Sequence, residues 1–129
     1  MPRLLLSLAL ILGLAGVIIW LATNQHSEQP SVSFATVQQN VQQGAKLYDV
    51  RTAEEYASGH FANAELWPLT NLEAGTFPNV SKDTQIYVYC RSGNRSSQAT
   101  SLLEKAGYTK VTDLGGLADV EKIGGVQQR

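Results

Sequence analysis

The first 22 residues differ from the rest of the chain, because Leu4 to Ala22 is a run of nineteen residues without a charge. As a helix this run would be about 28 Å long, close to the hydrocarbon thickness of a bilayer. The run therefore predicts an N-terminal apolar helix that enters a membrane. Trp20 and Ala22 make a poor cleavage site, so we favour a retained anchor, with a cleaved signal as the alternative. Arg3 at its start predicts, by the positive-inside rule, that the chain after Ala22 lies outside the cytoplasm.

Localisation follows from the same segment. Residues 1–22 are predicted to be the anchor or signal, residues 23–31 are a polar linker, and residues 32–129 form the folded domain. The domain is expected in the periplasm or another extracytoplasmic space, tethered to the inner membrane. Cleavage of the segment would instead give a soluble periplasmic protein.

Strand and helix patterns alternate through residues 32–129. Phe34, Val37 and Val41 repeat at helical spacing before Gly44, and Thr52 with Glu55 has capping-box spacing before Gly59. Two further helices are predicted at 97–106 and near 117–121, whereas 69–79 is predicted to be irregular with at most one helical turn. Strands are predicted at 47–50, 65–67, 86–89 and 110–113.

The order of these elements predicts an α/β domain of three layers, with a mainly parallel sheet covered by helices on both faces. The run Ile86-Tyr87-Val88-Tyr89 is the strongest strand prediction, since it is apolar or aromatic throughout, as in a strand buried on both faces. Ligands of such sheets bind beyond the carboxyl ends of the strands. Cys90 follows this strand directly.

Composition excludes several classes of function. The chain has 129 residues and a formal net charge of −1, with no basic patch for nucleic acid. Cys90 is its single cysteine, so an intramolecular disulfide is impossible, and no Cys/His spacing suggests a metal site. Cys90 is therefore either a buried small side chain or a working thiol.

The loop Cys-Arg-Ser-Gly-Asn-Arg-Ser, residues 90–96, favours a working thiol. It lies between a strand and a helix, where unpaired backbone N–H groups and the helix dipole favour an anion. Arg91 and Arg95 add nearby positive charge, which lowers the pKa of a cysteine. Gly93 allows the loop to curl so that its N–H groups converge. We interpret Cys90 as a reactive thiolate.

Two other cysteine chemistries fit less well. A tyrosine phosphatase has His before its cysteine and Arg six positions after it, whereas this chain has Tyr89 and Ser96 there. Arg95 comes one residue earlier than the phosphatase arginine, so the loop is too short to surround a phosphate group. Thiol–disulfide exchange normally needs a second cysteine, and the sequence has none.

Several motifs together resemble the rhodanese sulfurtransferases. They are Asp49-Val50-Arg51, Glu55-Tyr56, Gly59-His60, Ala64, the loop 90–96 and Gly115-Gly116-Leu117. The resemblance covers about residues 32–119 and implies a rhodanese-like fold. It also implies that Cys90 attacks thiosulfate, releases sulfite and passes the sulfur from a persulfide to a thiophile, for which cyanide is the usual assay acceptor.

The resemblance assigns catalysis to Cys90 and binding of the anionic donor to the remainder of the loop. The predicted substrate-binding residues are Arg91, Ser92, Gly93, Asn94, Arg95 and Ser96. Arg95 is favoured over Arg91 as the guide for thiosulfate, because it is nearer the helix start. No cofactor or metal is expected. The alternative function is a persulfide carrier or binding module with little thiosulfate activity.

Other polar residues of the motifs are predicted to be structural. Arg51 follows Asp49 and precedes Glu54 and Glu55, a pattern that indicates an ion pair. His60 follows a glycine that ends a helix, and an ionised thiolate needs no general base.

Overall fold

The computed structural model describes residues 32–129 of the chain. The predicted N-terminal apolar helix, its use as an anchor or signal, and the linker 23–31 lie outside the described residues. Within residues 32–129 no helix is both long enough and apolar enough to cross a bilayer.

Five helices and six strands make up the described part of the chain. The helices are α1 (Phe34–Gln42), α2 (Ala53–Ser58), α3 (Leu69–Glu73), α4 (Asn94–Lys105) and α5 (Leu117–Lys122). The strands are β1 (Lys46–Asp49), β2 (His60–Phe61), β3 (Glu65–Leu66), β4 (Ile86–Tyr89), β5 (Val111–Gly115) and β6 (Gln127–Gln128).

The central sheet has four strands in the order β3-β1-β4-β5, and every pair is parallel. All its carboxyl ends therefore lie at one edge, as the sequence predicts. Strand β4 is central and all four of its residues are buried, because helices cover both faces. Its end directs Cys90 into that edge, between the ends of β1 and β5.

Two apolar clusters show that the domain has three layers. One face of the sheet carries α3 and α4, whose Leu72 and Leu103 pack with Val88 and Cys90. The opposite face carries α1 and α5, where Val37 and Val120 pack with buried residues of β1 and β4. Alternate residues of each strand point to opposite faces, which explains why β4 contributes to both clusters.

The predicted helix starts and stops hold at α1 and α2. Helix α1 ends just before Gly44, whose φ is 106°. The capping box at α2 is confirmed, since Thr52 and Glu55 exchange hydrogen bonds and Gly59 follows the helix. Helix α3, predicted as at most one turn, has five residues.

Several predicted boundaries are wrong. Helix α4 begins at Asn94 and not at Ser97, because Gly93 lies in the left-handed region and itself provides the N-cap position. Strand β1 starts and ends one residue earlier than predicted, and β5 extends to Gly115. The pattern also missed β2 and β6, an antiparallel pair of two residues each. Strands this short show no periodicity.

Candidate active site

Cys90 lies immediately after β4 and is fully buried. Its backbone N–H donates to the carbonyl of Gly115 at 3.0 Å, so the start of the loop is fixed to the end of β5. The thiol packs against the apolar cluster shared by α3 and α4. Strand pairing thus determines where the sulfur lies, and the next six residues determine its chemistry.

The loop curls back over the sulfur at Gly93. With a φ of 102°, Gly93 adopts a conformation that a side chain would strain. This turn directs its N–H at the Cys90 Sγ at a distance of 3.0 Å. Helix α4 starts at the following residue, Asn94, so the positive end of its dipole also lies at the site.

Ser96 supplies a side-chain contact to the same sulfur. It is buried in the first turn of α4, and its Oγ lies 3.5 Å from the Cys90 Sγ and 3.1 Å from the Gly93 carbonyl oxygen. A hydroxyl has one proton to donate. Ser96 can therefore donate to the carbonyl while Cys90 is a thiol, and to the sulfur when Cys90 is ionised.

The balance of these effects favours the thiolate. Burial raises the pKa of Cys90, but hydrogen bonds from the Ser96 hydroxyl and from three backbone N–H groups outweigh it, and the pKa lies below that of an ordinary cysteine. The three N–H groups belong to Ser92, Gly93 and Ser96. Among the influences that lower this pKa, the Ser96 hydroxyl is the largest, and the converging N–H groups of the loop add to it.

The Gly115-Gly116 pair allows β5 and the loop to approach closely. A Cβ on Gly116 would lie 2.7 Å from the Arg91 carbonyl oxygen and 2.9 Å from the Ser92 Cα. The next N–H, that of Leu117, donates to the same Arg91 carbonyl at 3.0 Å. Gly116 is therefore a supporting residue of the site, which the sequence suggested only through a family motif.

The two arginines of the loop differ in their surroundings. Arg91 is exposed, as is Ser92. Arg95 makes a bidentate ion pair with Glu55, at 2.7 Å from Nη1 to Oε1 and 2.9 Å from Nη2 to Oε2. This hydrogen-bonded pair is the chief reason that the pKa of Glu55 falls to about 2. The Glu55–Arg95 contact joins residues forty positions apart, and no local sequence pattern predicted it.

A second polar cluster, which we call the buried network, consists of Asp49, Arg51 and Tyr89. The Arg51 Nη2 donates to the Asp49 Oδ2 and to the Gly59 carbonyl, each at 2.6 Å. The Tyr89 hydroxyl donates to the Asp49 Oδ2 at 2.8 Å and accepts the Phe61 N–H at 3.2 Å. The predicted structural role of Arg51 is consistent with this geometry, and its partner is Asp49 rather than Glu54 or Glu55.

Burial and the Asp49 charge determine the protonation of this network. Burial and then the nearby carboxylate raise the pKa of Tyr89 well above its usual value, so the hydroxyl remains a donor. Burial opposes the charge of Arg51, but its hydrogen bonds with Asp49 prevail, and the pKa of Arg51 is raised. The network connects β1, β4 and β2.

His60 is held by contacts with Tyr56. Its Nδ1 is 3.0 Å from the Tyr56 carbonyl oxygen, and its ring stacks on the Tyr56 ring with centroids 3.8 Å apart. These contacts fit the structural role predicted for it. Within residues 32–129 no group of three His, Cys, Asp or Glu side chains is arranged to hold a metal ion.

Comparison with known proteins agrees with the family resemblance of the sequence motifs. The family model of the rhodanese-like domain matches residues 33–122. A thiosulfate sulfurtransferase of Escherichia coli, PspE, is 37% identical over 73 residues, which are 56% of this chain and 70% of that protein. The adenylyltransferase and sulfurtransferase uba4 of Ogataea parapolymorpha is 40% identical over 81 residues, but these are 62% of this chain and only 21% of that protein.

Solved structures agree with the sequence comparison. The human single-domain sulfurtransferase TSTD1 superposes with a TM-score of 0.59 at 27% identity, over 72% of this chain and 96% of that one. A rhodanese from Escherichia coli, solved with anions, has a TM-score of 0.55 at 32% identity, over 66% of this chain and 98% of that one. With the parallel sheet and the cysteine loop described above, these matches place residues 33–122 in one family. The chain belongs to the rhodanese-like domain family of sulfurtransferases.

Proposed function

We propose that the protein is a thiosulfate sulfurtransferase that carries the transferred sulfur as a persulfide on Cys90. The observation that carries this proposal is the Gly93 N–H, 3.0 Å from the Cys90 Sγ in a loop whose donors lower the pKa of the thiol. A sulfur nucleophile must be ionised to react, and this site favours the ionised form.

In the first step the Cys90 thiolate attacks the outer sulfur of thiosulfate. A new S–S bond forms to Cys90 while the S–S bond of thiosulfate breaks, and sulfite leaves with the electron pair of that bond. In the second step a thiophile, such as cyanide, attacks the outer sulfur of the persulfide. Thiocyanate then leaves and the Cys90 thiolate is regenerated, so no external oxidant or reductant is required.

The loop N–H groups suit both states of Cys90. A thiolate and a persulfide anion both carry negative charge on sulfur, and preorganised N–H donors stabilise such a charge without rearrangement. Gly93 and the first turn of α4 supply these donors from fixed backbone. Exposed Arg91 and Ser92 are available to an arriving anion at the outer side of the loop, and Asn94 and Arg95 are proposed to complete the binding site.

The test is a thiosulfate–cyanide assay with detection of thiocyanate, using wild-type protein and Cys90→Ala. We expect turnover by the wild type and a loss of at least about a thousandfold in the variant, since the nucleophile is absent. Mass spectrometry after thiosulfate alone should show one added sulfur atom on the wild type only. A wild type without turnover, or a Cys90→Ala variant with full turnover, would contradict the proposal.

One observation favours a second candidate, a persulfide carrier with little activity on thiosulfate. Arg95, the predicted guide for thiosulfate, is paired with Glu55, so half of the positive charge of the loop is already compensated. A carrier would receive sulfur from a partner protein rather than from a small dianion. Incubation with a persulfide-bearing donor protein and, separately, with thiosulfate discriminates the two functions, because a carrier gains sulfur from the protein only.

We also propose that the domain acts outside the cytoplasm, tethered through residues 4–22. The support is the uncharged run from Leu4 to Ala22 with Arg3 before it. Cell fractionation with N-terminal sequencing tests this proposal. An intact N-terminus in the membrane fraction is expected for an anchor, whereas a mature N-terminus well inside the chain would indicate a cleaved signal.

A further inference from the structure

The Glu55–Arg95 ion pair is partly exposed to solvent beside the Cys90 loop. The side chains of Arg95 and Glu55 are 31% and 26% exposed, so both can be reached by dissolved ions. Arg95 belongs to the first turn of α4, one residue before Ser96, which contacts the sulfur. The pair is therefore part of the rim of the site.

The position of Glu55 is determined independently of Arg95. Its Oε1 accepts the Thr52 N–H at 3.3 Å and the Thr52 hydroxyl at 3.2 Å, as part of the capping box of α2. The carboxylate is thus held by a helix terminus as well as by the guanidinium.

The Cys90 thiolate is an electrostatic neighbour of Arg95, with a smaller influence than Glu55. Hydrogen bonding with Glu55 is the main reason that the pKa of Arg95 is raised, and the Cys90 thiolate contributes in the same direction. The charge that would attract an anion to Cys90 is therefore the same charge that Glu55 compensates. Arg91, the other arginine of the loop, makes no ion pair within residues 32–129.

We propose that Glu55 is a specificity-determining residue, whose carboxylate occupies Arg95 and so weakens the preference of the site for anionic sulfur donors. The inference rests on the proposed sulfur transfer at Cys90. In the wild type the pair carries no net charge, so Arg91 supplies the uncompensated positive charge of the loop. Removal of the Glu55 charge releases one positive charge beside the sulfur.

The first experiment compares the kinetics of thiosulfate consumption in matched variants. Glu55→Gln keeps an amide oxygen that can serve in the capping box. Glu54→Gln is the control, because it removes the same charge from an exposed neighbour in the same helical turn. Glu55→Asp is a second control, because it retains the negative charge at this position.

For Glu55→Gln we expect the KM for thiosulfate to fall about fivefold, because one negative charge is removed near a partly hydrated site. We expect kcat to change less than about twofold. Glu54→Gln and Glu55→Asp should keep a KM close to that of the wild type. A purely structural role would lower kcat or stability without this change in KM. An unchanged or higher KM in Glu55→Gln, or an equal fall in Glu54→Gln, would overturn the inference.

The second experiment does not depend on turnover. Iodoacetate is an anion and iodoacetamide is neutral, so the ratio of their alkylation rates at Cys90 reports the charge around the sulfur. We expect Glu55→Gln to raise this ratio about twofold, less than the effect on a dianion, and Glu54→Gln to leave it unchanged.

The two experiments separate the possible failures. If wild-type protein does not consume thiosulfate but the ratio rises in Glu55→Gln, the proposed function fails and the role of Glu55 stands. An unchanged ratio overturns the inference even when thiosulfate is consumed. A wild-type Cys90 that reacts with neither reagent also overturns it, because no anion would then reach the sulfur.

Discussion

The buried network of Asp49, Arg51 and Tyr89 and the Cys90 loop both stabilise negative charge at the carboxyl edge of the sheet, but in different ways. In the network the side chains of Arg51 and Asp49 are 4% and 0% exposed, and the carboxylate is matched by a full positive charge. At Cys90 the charge on sulfur is met by backbone N–H groups and one hydroxyl, while the nearby Arg95 is bound to Glu55.

This difference separates stability from reactivity. A charge neutralised by direct pairing and buried on all sides is fixed, and its loss leaves the partner uncompensated. A thiolate stabilised by partial charges is kept ionised but is still able to share electrons with an incoming sulfur. We therefore expect changes in the network to act mainly on folding, and changes in the loop to act mainly on activity.

The largest effect is expected at the network. Asp49→Asn leaves the buried Arg51 charge without its carboxylate, and the free energy of unfolding should fall by about 3 kcal/mol or more. Urea denaturation measures this change. Glu65→Gln is the control, since the Lys46–Glu65 pair is exposed and worth less than about 1 kcal/mol. An equal fall in unfolding free energy in both variants would contradict the expected difference between the buried and the exposed ion pair.

Gly116→Ala should act on the loop rather than on the network. Its Cβ would lie 2.7 Å from the Arg91 carbonyl oxygen, so backbone of the loop must move. Displacement of the donors around Cys90 should lower kcat/KM by about tenfold to a hundredfold.

Gly44→Ala is the matched control for Gly116→Ala. Gly44 has a φ of 106°. Apart from Gly44 and its two chain neighbours, no atom of residues 32–129 lies within 4 Å of the place that an added Cβ would take, so substitution strains only the local backbone. It should cost about 1 kcal/mol in unfolding free energy and leave the rate unaltered. A Gly116→Ala enzyme of normal activity would show that the loop tolerates the displacement.

Ser96→Ala tests the hydroxyl that contacts the sulfur. Because that hydrogen bond lowers the pKa of Cys90, its loss should raise the pKa and move the acidic limb of the pH–rate profile to higher pH. At pH values below the pKa of Cys90, alkylation of the variant by iodoacetamide should be about tenfold slower than that of the wild type. This is the effect expected from the loss of one hydrogen bond to a charged group. Ser97→Ala, at an exposed neighbour, should match the wild type at every pH.

The smallest effect concerns the stability of the Glu55–Arg95 pair. The pKa of Glu55 is lowered to about 2, so the pair stabilises the fold above the ordinary carboxyl pKa and loses this contribution as pH falls toward about 2. Partial exposure limits the contribution to about 1 kcal/mol. Arg95→Gln should flatten the fall in stability between pH 5 and pH 2 in urea titrations, whereas Arg91→Gln should not.

Periodicity predicted the three-layer fold because its elements are long or capped. Val37 and Leu103 lie on the predicted inner faces of α1 and α4, and β4 is buried throughout, as expected of a central parallel strand. The two-residue strands β2 and β6 were missed because strands of this length have no repeat. The start of α4 was misplaced because glycine at an N-cap carries no side-chain signal.

The sequence by itself determined that Cys90 lies between a strand and a helix in a loop rich in arginine and glycine, because these are properties of consecutive residues. Only the tertiary structure decided which carboxylate Arg51 and Arg95 each bind. Arg51 pairs with Asp49, and Arg95 pairs with Glu55. The Arg95–Glu55 contact joins α2 to α4 across forty residues of chain, so it depends on how the helices pack and not on any local pattern.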